Sequence, residues 1–443
     1  MKIIRNLYFS SVFWIVLVAL TALFLLSYLF PLLFGFAKIA ATLVLGFLLI
    51  DIFLLFKTPK GIFARRDTPD RLSNGDNNPI SIYLENLYSF GVILEIIDEI
   101  PFQFQKRDVL FETQLSTHAH QIICYELRPT KRGEYSFGAV NVFVQTSLRL
   151  IKRRYQFSQN KIVAVYPSYL QMRQYELMAI SNRLTELGIK RIRRLGHSME
   201  FEQIRQYVQG DDLRTLNWKA TARRNELMVN AFQDERSQAV YCLIDKGRVM
   251  KSPFEGLTLL DYAINATLIL SNIALLKQDK AGIVTFSEVI GQMVLAERKT
   301  GHMQRILETL YKQKTRYLES DYETLYAHIK TQIRQRSLLL LFTNFDTLNA
   351  MRRQLPYLRR MAKNHLLIVI FFENTETNDL LNSPTLNIQA IYLKTIAERF
   401  YYEKQRIVKE LEQYGIRSIL TTPQELNANT VNKYIELKAK GMM

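Results

Sequence analysis

The residues best placed to do chemistry lie between Ser198 and Glu235, in the run SMEFEQIRQYVQGDDLRTLNWKATARRNELMVNAFQDE. It gathers the carboxylates Glu200, Asp211 and Asp212 with the guanidiniums Arg205, Arg214 and Arg223, around Trp218, one of 2 tryptophans in the chain. Carboxylates held beside arginines have shifted ionisation, which acid–base catalysis uses. Structural ion pairs shift it too, and charges buried in a fold are tolerated only when paired. No nucleophile, metal-ligand set or phosphate loop accompanies the cluster. The reading is therefore a paired structural or docking network around Trp218. An enzyme built on Asp211, Asp212 and Arg214 is the alternative.

Other sources of chemistry are thin. The sequence contains no G-x-x-x-x-G-K-[ST] loop, no G-x-S-x-G elbow and no C-x-x-C pair. His118 and His120 would share a face on a strand. An exposed strand or loop end explains them better than a metal site. Cys124 and Cys242 lie far apart, each inside an expected strand, which suits a reducing compartment and argues against a disulfide framework. No cofactor is expected.

Local signals set how the cluster is held. Gly210-Asp211-Asp212 reads as a turn, with Asp211 or Asp212 capping a helix through Leu213 to Trp218. Asn225 breaks that helix, and Leu227–Phe232 reads as a strand. Upstream, Gln171–Leu187 reads as a helical linker and Lys190–His197 as a basic loop.

Around this centre the chain divides into four segments: residues 1–58, 59–170, 171–236 and 237–443. In the first, Leu7–Phe30 and Leu33–Phe56 are apolar runs interrupted at Pro31, with Lys38 and Asp51 as the charges inside the second. Each exceeds the ~20 residues that cross a bilayer, so a transmembrane hairpin is expected. Lys2 and Arg5 precede it, and Lys57, Lys60, Arg65 and Arg66 follow it. The positive-inside rule then places both ends and all later domains in the cytoplasm, on the inner membrane. The second segment carries short β signals, among them Ile80–Leu84, Val92–Ile97, Gln121–Leu127 and Val140–Val144, and reads as a small β-sandwich. The fourth alternates strands and helices. Its expected strands are Ala239–Asp245, Lys280–Phe286, Ser337–Thr343, Leu366–Phe372, Ile388–Leu393 and Arg417–Thr421. Such alternation implies a doubly wound α/β domain with helices on both faces of a mostly parallel sheet. Ligands on such sheets bind at the carboxyl ends of the strands, beside Asp245 and Thr343-Asn344.

The net charge of +17 favours anionic partners. The positives are scattered and no aromatic-interleaved motif accompanies them, so specific nucleic-acid binding is not expected. Lipid headgroups beside an anchored protein account for them.

The central stretch resembles a bacterial family known as domain of unknown function 58. The matching residues are Glu200, Phe201, Arg205, Tyr207, Gly210, Asp211, Asp212, Arg214, Asn217, Trp218, Ala222 and Arg223, with Leu216 where the family has isoleucine. Arg132-Gly133-Glu134-Tyr135 fits that family's arginine-glycine-x-tyrosine turn. The resemblance implies a membrane hairpin, a β domain and a von Willebrand factor A-like domain at the C-terminus. It also implies work beside a MoxR-type AAA+ ATPase as a membrane-anchored adaptor without catalysis of its own. A-type domains bind Mg²⁺ through D-x-S-x-S after the first strand and a later aspartate. Here the sequence reads Asp245-Lys246-Gly247-Arg248-Val249, and Asn344 stands at the later position. Both serines are gone, and Asp245 with the out-of-register Asp346 is what remains. A degenerate site at Asp245, Gly247 and Asn344, holding no metal, is the expectation.

Overall fold

The computed structural model describes residues 5–106, 109–180, 200–208, 216–233, 237–373 and 388–442. The chain forms two compact units, Met1–Tyr166 and Pro167–Met443.

The first unit begins with a correction to the sequence reading. Leu7–Phe9 is not the start of a helix but a strand, β1. A short apolar run does not distinguish strand from helix by periodicity. Ser10 decides the boundary: its side chain accepts from the Val12 N–H and starts helix α1, Ser11–Leu29. Helix α2 follows, Leu33–Lys57. Both are apolar on all sides and long enough to span a membrane.

Ten further strands complete this unit: β2 (Ile62–Asp67), β3 (Arg71–Ser73), β4 (Asn78–Asn86), β5 (Val92–Asp98), β6 (Leu110–Leu115), β7 (His120–Leu127), β8 (Gly133–Phe137), β9 (Val140–Gln145), β10 (Ile151–Phe157) and β11 (Lys161–Tyr166). They pair as β1-β10-β9-β5-β6, β2-β4-β7 and β3-β11-β8. Alternate residues point inward, as in Ile80, Ile82 and Leu84 of β4. The inward faces of β2 and β4 meet those of β5, β9 and β10 in one core, which also takes Leu55 at the end of α2. The expected sandwich is thus built directly on the base of the hairpin.

Polar contacts fasten that base. The Asp51 carboxylate of α2, buried, accepts from the Thr146 hydroxyl and from the N–H groups of Leu150 (3.2 Å) and Ile151 (3.1 Å). Arg153 of β10 donates to the carbonyls of Leu55, Thr58 (2.7 Å) and Pro59 (3.0 Å), filling acceptors that the helix end leaves open. Arg66, counted above among the positives that orient the hairpin, is buried instead against Asp98. His118 lies in a turn at φ 56°, off the strand that begins at His120, so the two histidines share no strand face.

The second unit opens with α3, Tyr169–Ile180. Its Tyr169, Met172 and Tyr175 pack on the core of this unit, and Asn272 donates to Glu176 at 3.2 Å. What read as a linker belongs, over these residues, to the α/β domain. Next come β12 (Glu200–Gln206), α4 (Trp218–Arg224) and β13 (Met228–Gln233), then β14 (Ala239–Asp245), the short pair β15 (Pro253–Phe254) and β16 (Leu257–Thr258), and α5 (Leu259–Leu276). After them run β17 (Lys280–Phe286), β18 (Ile290–Glu297), α6 (His302–Tyr311), α7 (Tyr322–Gln332), β19 (Leu338–Phe342), α8 (Leu348–Asn364), β20 (Leu366–Phe372), α9 (Ile388–Gln413), β21 (Arg417–Thr421) and α10 (Leu426–Ala439).

The main sheet runs β18-β17-β14-β19-β20-β21, parallel except for the edge strand β18. Along β14, Val240, Cys242 and Ile244 face α5, α6 and α10, whereas Tyr241 and Leu243 face α7, α8 and α9. Both faces are therefore covered, and the strands are apolar runs for that reason. Helix α5 is apolar enough to cross a membrane, yet 78% of its apolar window is buried, so it is a core helix. Ile388–Leu393, expected as a strand, is the first part of α9. Its isoleucines suit a strand, but no turn residue separates Leu393 from the helix that follows.

Candidate functional site

Two places gather the residues singled out in the sequence. The first is the hairpin of β12 and β13, which pair antiparallel with Arg205 opposite Val229 and Gln206 opposite Met228. Leu216 bridges to Val229, so the chain is still extended there. The helix begins only at Trp218, and its cap is Asn217, not Asp211 or Asp212. Asn217 accepts from the Ala220 N–H at 3.0 Å and donates to Asn230 of β13 at 2.8 Å. One side chain thus starts the helix and ties it to the strand. Thr221 accepts from the Met228 N–H at 3.0 Å and closes the other end. Asn225 ends the helix in the left-handed region, φ 57°.

This frame turns Trp218 outward. It is 70% exposed, and Lys219, Arg223 and Arg224 are exposed beside it. Among the described residues, Trp218 and Arg223 are therefore not part of a buried charge network. Tyr207 continues β12 through a backbone bond to the Leu227 carbonyl, 2.8 Å. Arg205 donates to the Gln206 carbonyl at 3.3 Å. Glu200 pairs with Gln233 at the far end of the ribbon. Gly210, Asp211, Asp212 and Arg214 lie outside the described residues.

The second place is the carboxyl edge of the main sheet. Asp245 ends β14, fully buried. One carboxylate oxygen accepts from the Gly247 N–H at 2.7 Å and from the Ser320 hydroxyl. The other accepts from Thr343 at 2.7 Å and from Tyr322 at 3.3 Å. Tyr322 and Thr343 also bond each other at 2.7 Å. Burial pushes the Asp245 carboxyl up, against these four donors, and burial beside Asp245 pushes the Tyr322 phenol up. Gly247 is required by space: a Cβ there would stand 2.1 Å from the Ser320 oxygen.

Asn344 is turned to other work. Its side-chain oxygen accepts from Lys404 of α9 at 2.7 Å, and its amide donates to the Val249 carbonyl at 3.5 Å. Lys404 also donates to the Phe345 carbonyl at 2.6 Å. Burial pushes Lys404 down to about 8, while Asp346, Glu403 and Glu373 pull it up. Lys246 is buried next to Asp245, and burial pushes it down as well. Among the described residues no group of three or more His, Cys, Asp or Glu could hold a metal ion. Cys242, three residues before Asp245 on β14, is no nucleophile: burial pushes its thiol up to about 12.

Residues 203–383 match the family model described as protein of unknown function DUF58. That stretch begins within β12 and includes Trp218, Asp245, Tyr322 and Asn344, whereas Glu200 and Lys404 lie outside it. The uncharacterized protein YeaD of Bacillus subtilis (strain 168) is 33% identical over 124 residues, which is 28% of this chain and 30% of that protein. The match thus spans less than a third of the length of this curated relative. Solved structures with likeness include the CARDB domain of the PF1109 protein from Pyrococcus furiosus in complex with di-metal ions, 13% identical with a TM-score of 0.17, covering 24% of this chain and 86% of that one. Another is proximal thread matrix protein 1 from the mussel byssus, 12% identical with a TM-score of 0.27, covering 46% of this chain and 48% of that one. Likeness at that level carries no argument.

Sequence reasoning found Asp245, Gly247 and Asn344 but missed Ser320 and Tyr322. They reach Asp245 from 75 and 77 positions away, and no spacing rule connects them. It also missed the role of Asn217 as cap, although an asparagine just before a helical run is a start signal.

Proposed function

We propose that this chain is a membrane-anchored interaction protein that faces the cytoplasm and presents its α/β domain to a protein partner. The observation that carries this is Trp218, 70% exposed at the start of a capped helix. Binding energy at protein interfaces concentrates in tryptophan, tyrosine and arginine. Exposed Arg223 and Arg224 stand in the last turn of the same helix, which Asn217 and Asn225 bound. Following the family resemblance, the α/β domain is a von Willebrand factor A-like docking domain on the inner membrane. The partner is a MoxR-type AAA+ ATPase, which supplies the ATP-driven step in protein remodelling or assembly. In this reading the chain turns over no substrate, holds no metal and takes no specific nucleic acid.

A photo-crosslinking residue at position 218 of the full chain in cells tests the partner. It is expected to capture an AAA+ ATPase, and Trp218→Ala to lower co-purification of that ATPase more than tenfold, the effect of losing a residue worth ~2 kcal/mol or more. Unchanged co-purification would remove Trp218 from the interface. A catalytic role for Asp211, Asp212 and Arg214 would instead appear as turnover lost in Asp211→Asn with the fold retained.

Orientation has its own expected result. Arg5 precedes the hairpin and Lys57 and Lys60 follow it, whereas Lys38 is the one basic residue near its joining end. Protease outside intact spheroplasts is expected to leave both units whole. Digestion of the α/β domain from outside would reverse the topology.

A further inference from the structure

The base of the hairpin fixes where the sandwich stands on the bilayer. Ser10, just before α1, donates its N–H to the Leu150 carbonyl at 3.1 Å and its hydroxyl to the Arg149 carbonyl. Asp51, within α2, accepts from Thr146, Leu150 and Ile151. Both helices therefore meet one feature, the turn between β9 and β10, and they meet it at one level. Beyond that level α1 runs Ser11–Leu29 and α2 contributes Leu33 to Ile50. At 1.5 Å per residue these are about 28 Å and about 27 Å. The hydrocarbon core is about 30 Å thick. The apolar lengths are used up at Ser10 and Asp51, so the turn that holds both residues lies in the headgroup layer.

The chemistry of this turn suits that layer. Ser147, Leu148 and Arg149 are exposed at its tip. Arg149 stands at φ 55°, a conformation a non-glycine residue seldom takes. The Arg149 N–H bonded to the Thr146 carbonyl (3.2 Å) and the Leu148 N–H bonded to the Thr146 hydroxyl (3.1 Å) hold it there. Beside it, Phe9 stacks on Phe13 at 4.4 Å between centroids, and Trp14 packs edge-on against both rings. Trp14 is 56% exposed. Exposed aromatic rings of this kind are enriched at the membrane–water interface. Arg5, also exposed, lies just before β1.

We propose that the Ser147–Arg149 turn is a foot that rests among lipid headgroups and takes the phosphate of anionic phospholipids through Arg149. The sandwich then sits on the bilayer without a linker. This rests on the reading that α1 and α2 span the membrane, and the test separates the two.

The full chain is reconstituted in nanodiscs of phosphatidylcholine, with or without phosphatidylglycerol. In Trp218→Phe, Trp14 is the sole tryptophan, and lipids brominated on their acyl chains report whether it lies in the bilayer. In Cys124→Ser with Ser147→Cys, a fluorophore at 147 reports contact with a headgroup spin label; the remaining Cys242 is buried. Trp14 is expected to be quenched by the brominated lipids, and the label at 147 by the headgroup spin label. Phosphatidylglycerol is expected to increase quenching at 147, and Arg149→Gln to cancel that increase, with about fivefold less anionic lipid retained. Trp14 quenched with the label at 147 unquenched would overturn the foot and leave the span intact. Trp14 unquenched would overturn both. Quenching at 147 that ignores phosphatidylglycerol and Arg149→Gln would overturn the recognition of anionic lipid.

Discussion

Replacing Asp245 by alanine is expected to loosen the centre of the α/β domain by about 3 kcal/mol, the scale of leaving buried donors without an acceptor. Four donors converge on this carboxylate: Gly247, Ser320, Thr343 and Tyr322. Thr343 and Tyr322 can still bond each other, so the stranded groups are chiefly the Gly247 N–H and the Ser320 hydroxyl. Amide exchange in β14 and β19 of the full chain should then quicken on the order of a hundredfold. Asp245→Asn keeps the shape and one acceptor and is expected to cost far less. The pH dependence separates the two variants further. Burial raises the folded-state value of Asp245 above its ordinary 3.8. Its contribution to stability is therefore complete below that ordinary value and is lost as pH rises through the raised one. Protection in wild type should fall with rising pH relative to Asp245→Asn, which has nothing to titrate at that position. A variant that tracks wild type at every pH would show that Asp245 is not under this burial strain.

A second large effect is expected in the sandwich. Arg66 and Asp98 form an ion pair whose side chains are 1% and 0% exposed. Tyr125 donates to the same carboxylate, and Arg66 also donates to the carbonyls of Gly138 and Gln159, each at 2.8 Å. Asp98→Ala strands a buried guanidinium, which typically costs about 3–5 kcal/mol. A domain has a net stability of only about 5–15 kcal/mol, so much of it goes with one side chain. Arg66→Met combined with Asp98→Leu removes both charges and should restore most of the loss, because no charge is then left unpaired. Amide exchange in β2 and β5 reads both variants in the full protein. If the double variant is no better than Asp98→Ala, packing rather than the stranded charge accounts for the loss.

That pair also shows where sequence reading reached its limit. Charges were expected to cluster within one contiguous stretch, because proximity along the chain was the information available. The described part of that stretch presents Trp218 and Arg223 to solvent, while the buried pair joins residues 32 positions apart. By contrast Lys280–Phe286, Leu366–Phe372 and Arg417–Thr421 were legible to the residue. β17 and β20 are interior strands, apolar on both faces, so their limits follow those of apolar runs; β21 is a half-buried edge strand, bounded instead by Gly415 before it and Pro423 after it. Leu7–Phe9 was missed because three apolar residues are too short a run to show a period, and the Ser10-Ser11 pair that separates them from the helix reads in sequence as part of one uncharged span. The carboxyl edge was half legible: Asp245 announces itself at the end of an apolar strand. Ser320 and Tyr322 are ordinary residues until the fold brings them near.

The three residues of β1 pair with Ile151–Arg153 of β10, and everything between them is made before the partner strand exists. At ~5–20 residues per second the ribosome needs on the order of ten seconds to cover that interval. The hairpin has already left the exit tunnel by then, and its insertion cannot wait. If the hairpin spans the membrane as proposed, the order of events is imposed: helices enter the lipid first, and the sandwich closes onto them afterwards, with the N-terminal strand held open as an unpaired edge in the meantime. Such edges recruit other strands. A nascent chain stalled before residue 151 is accordingly the form most exposed to mispairing, and the one for which a ribosome-bound chaperone has the most to do.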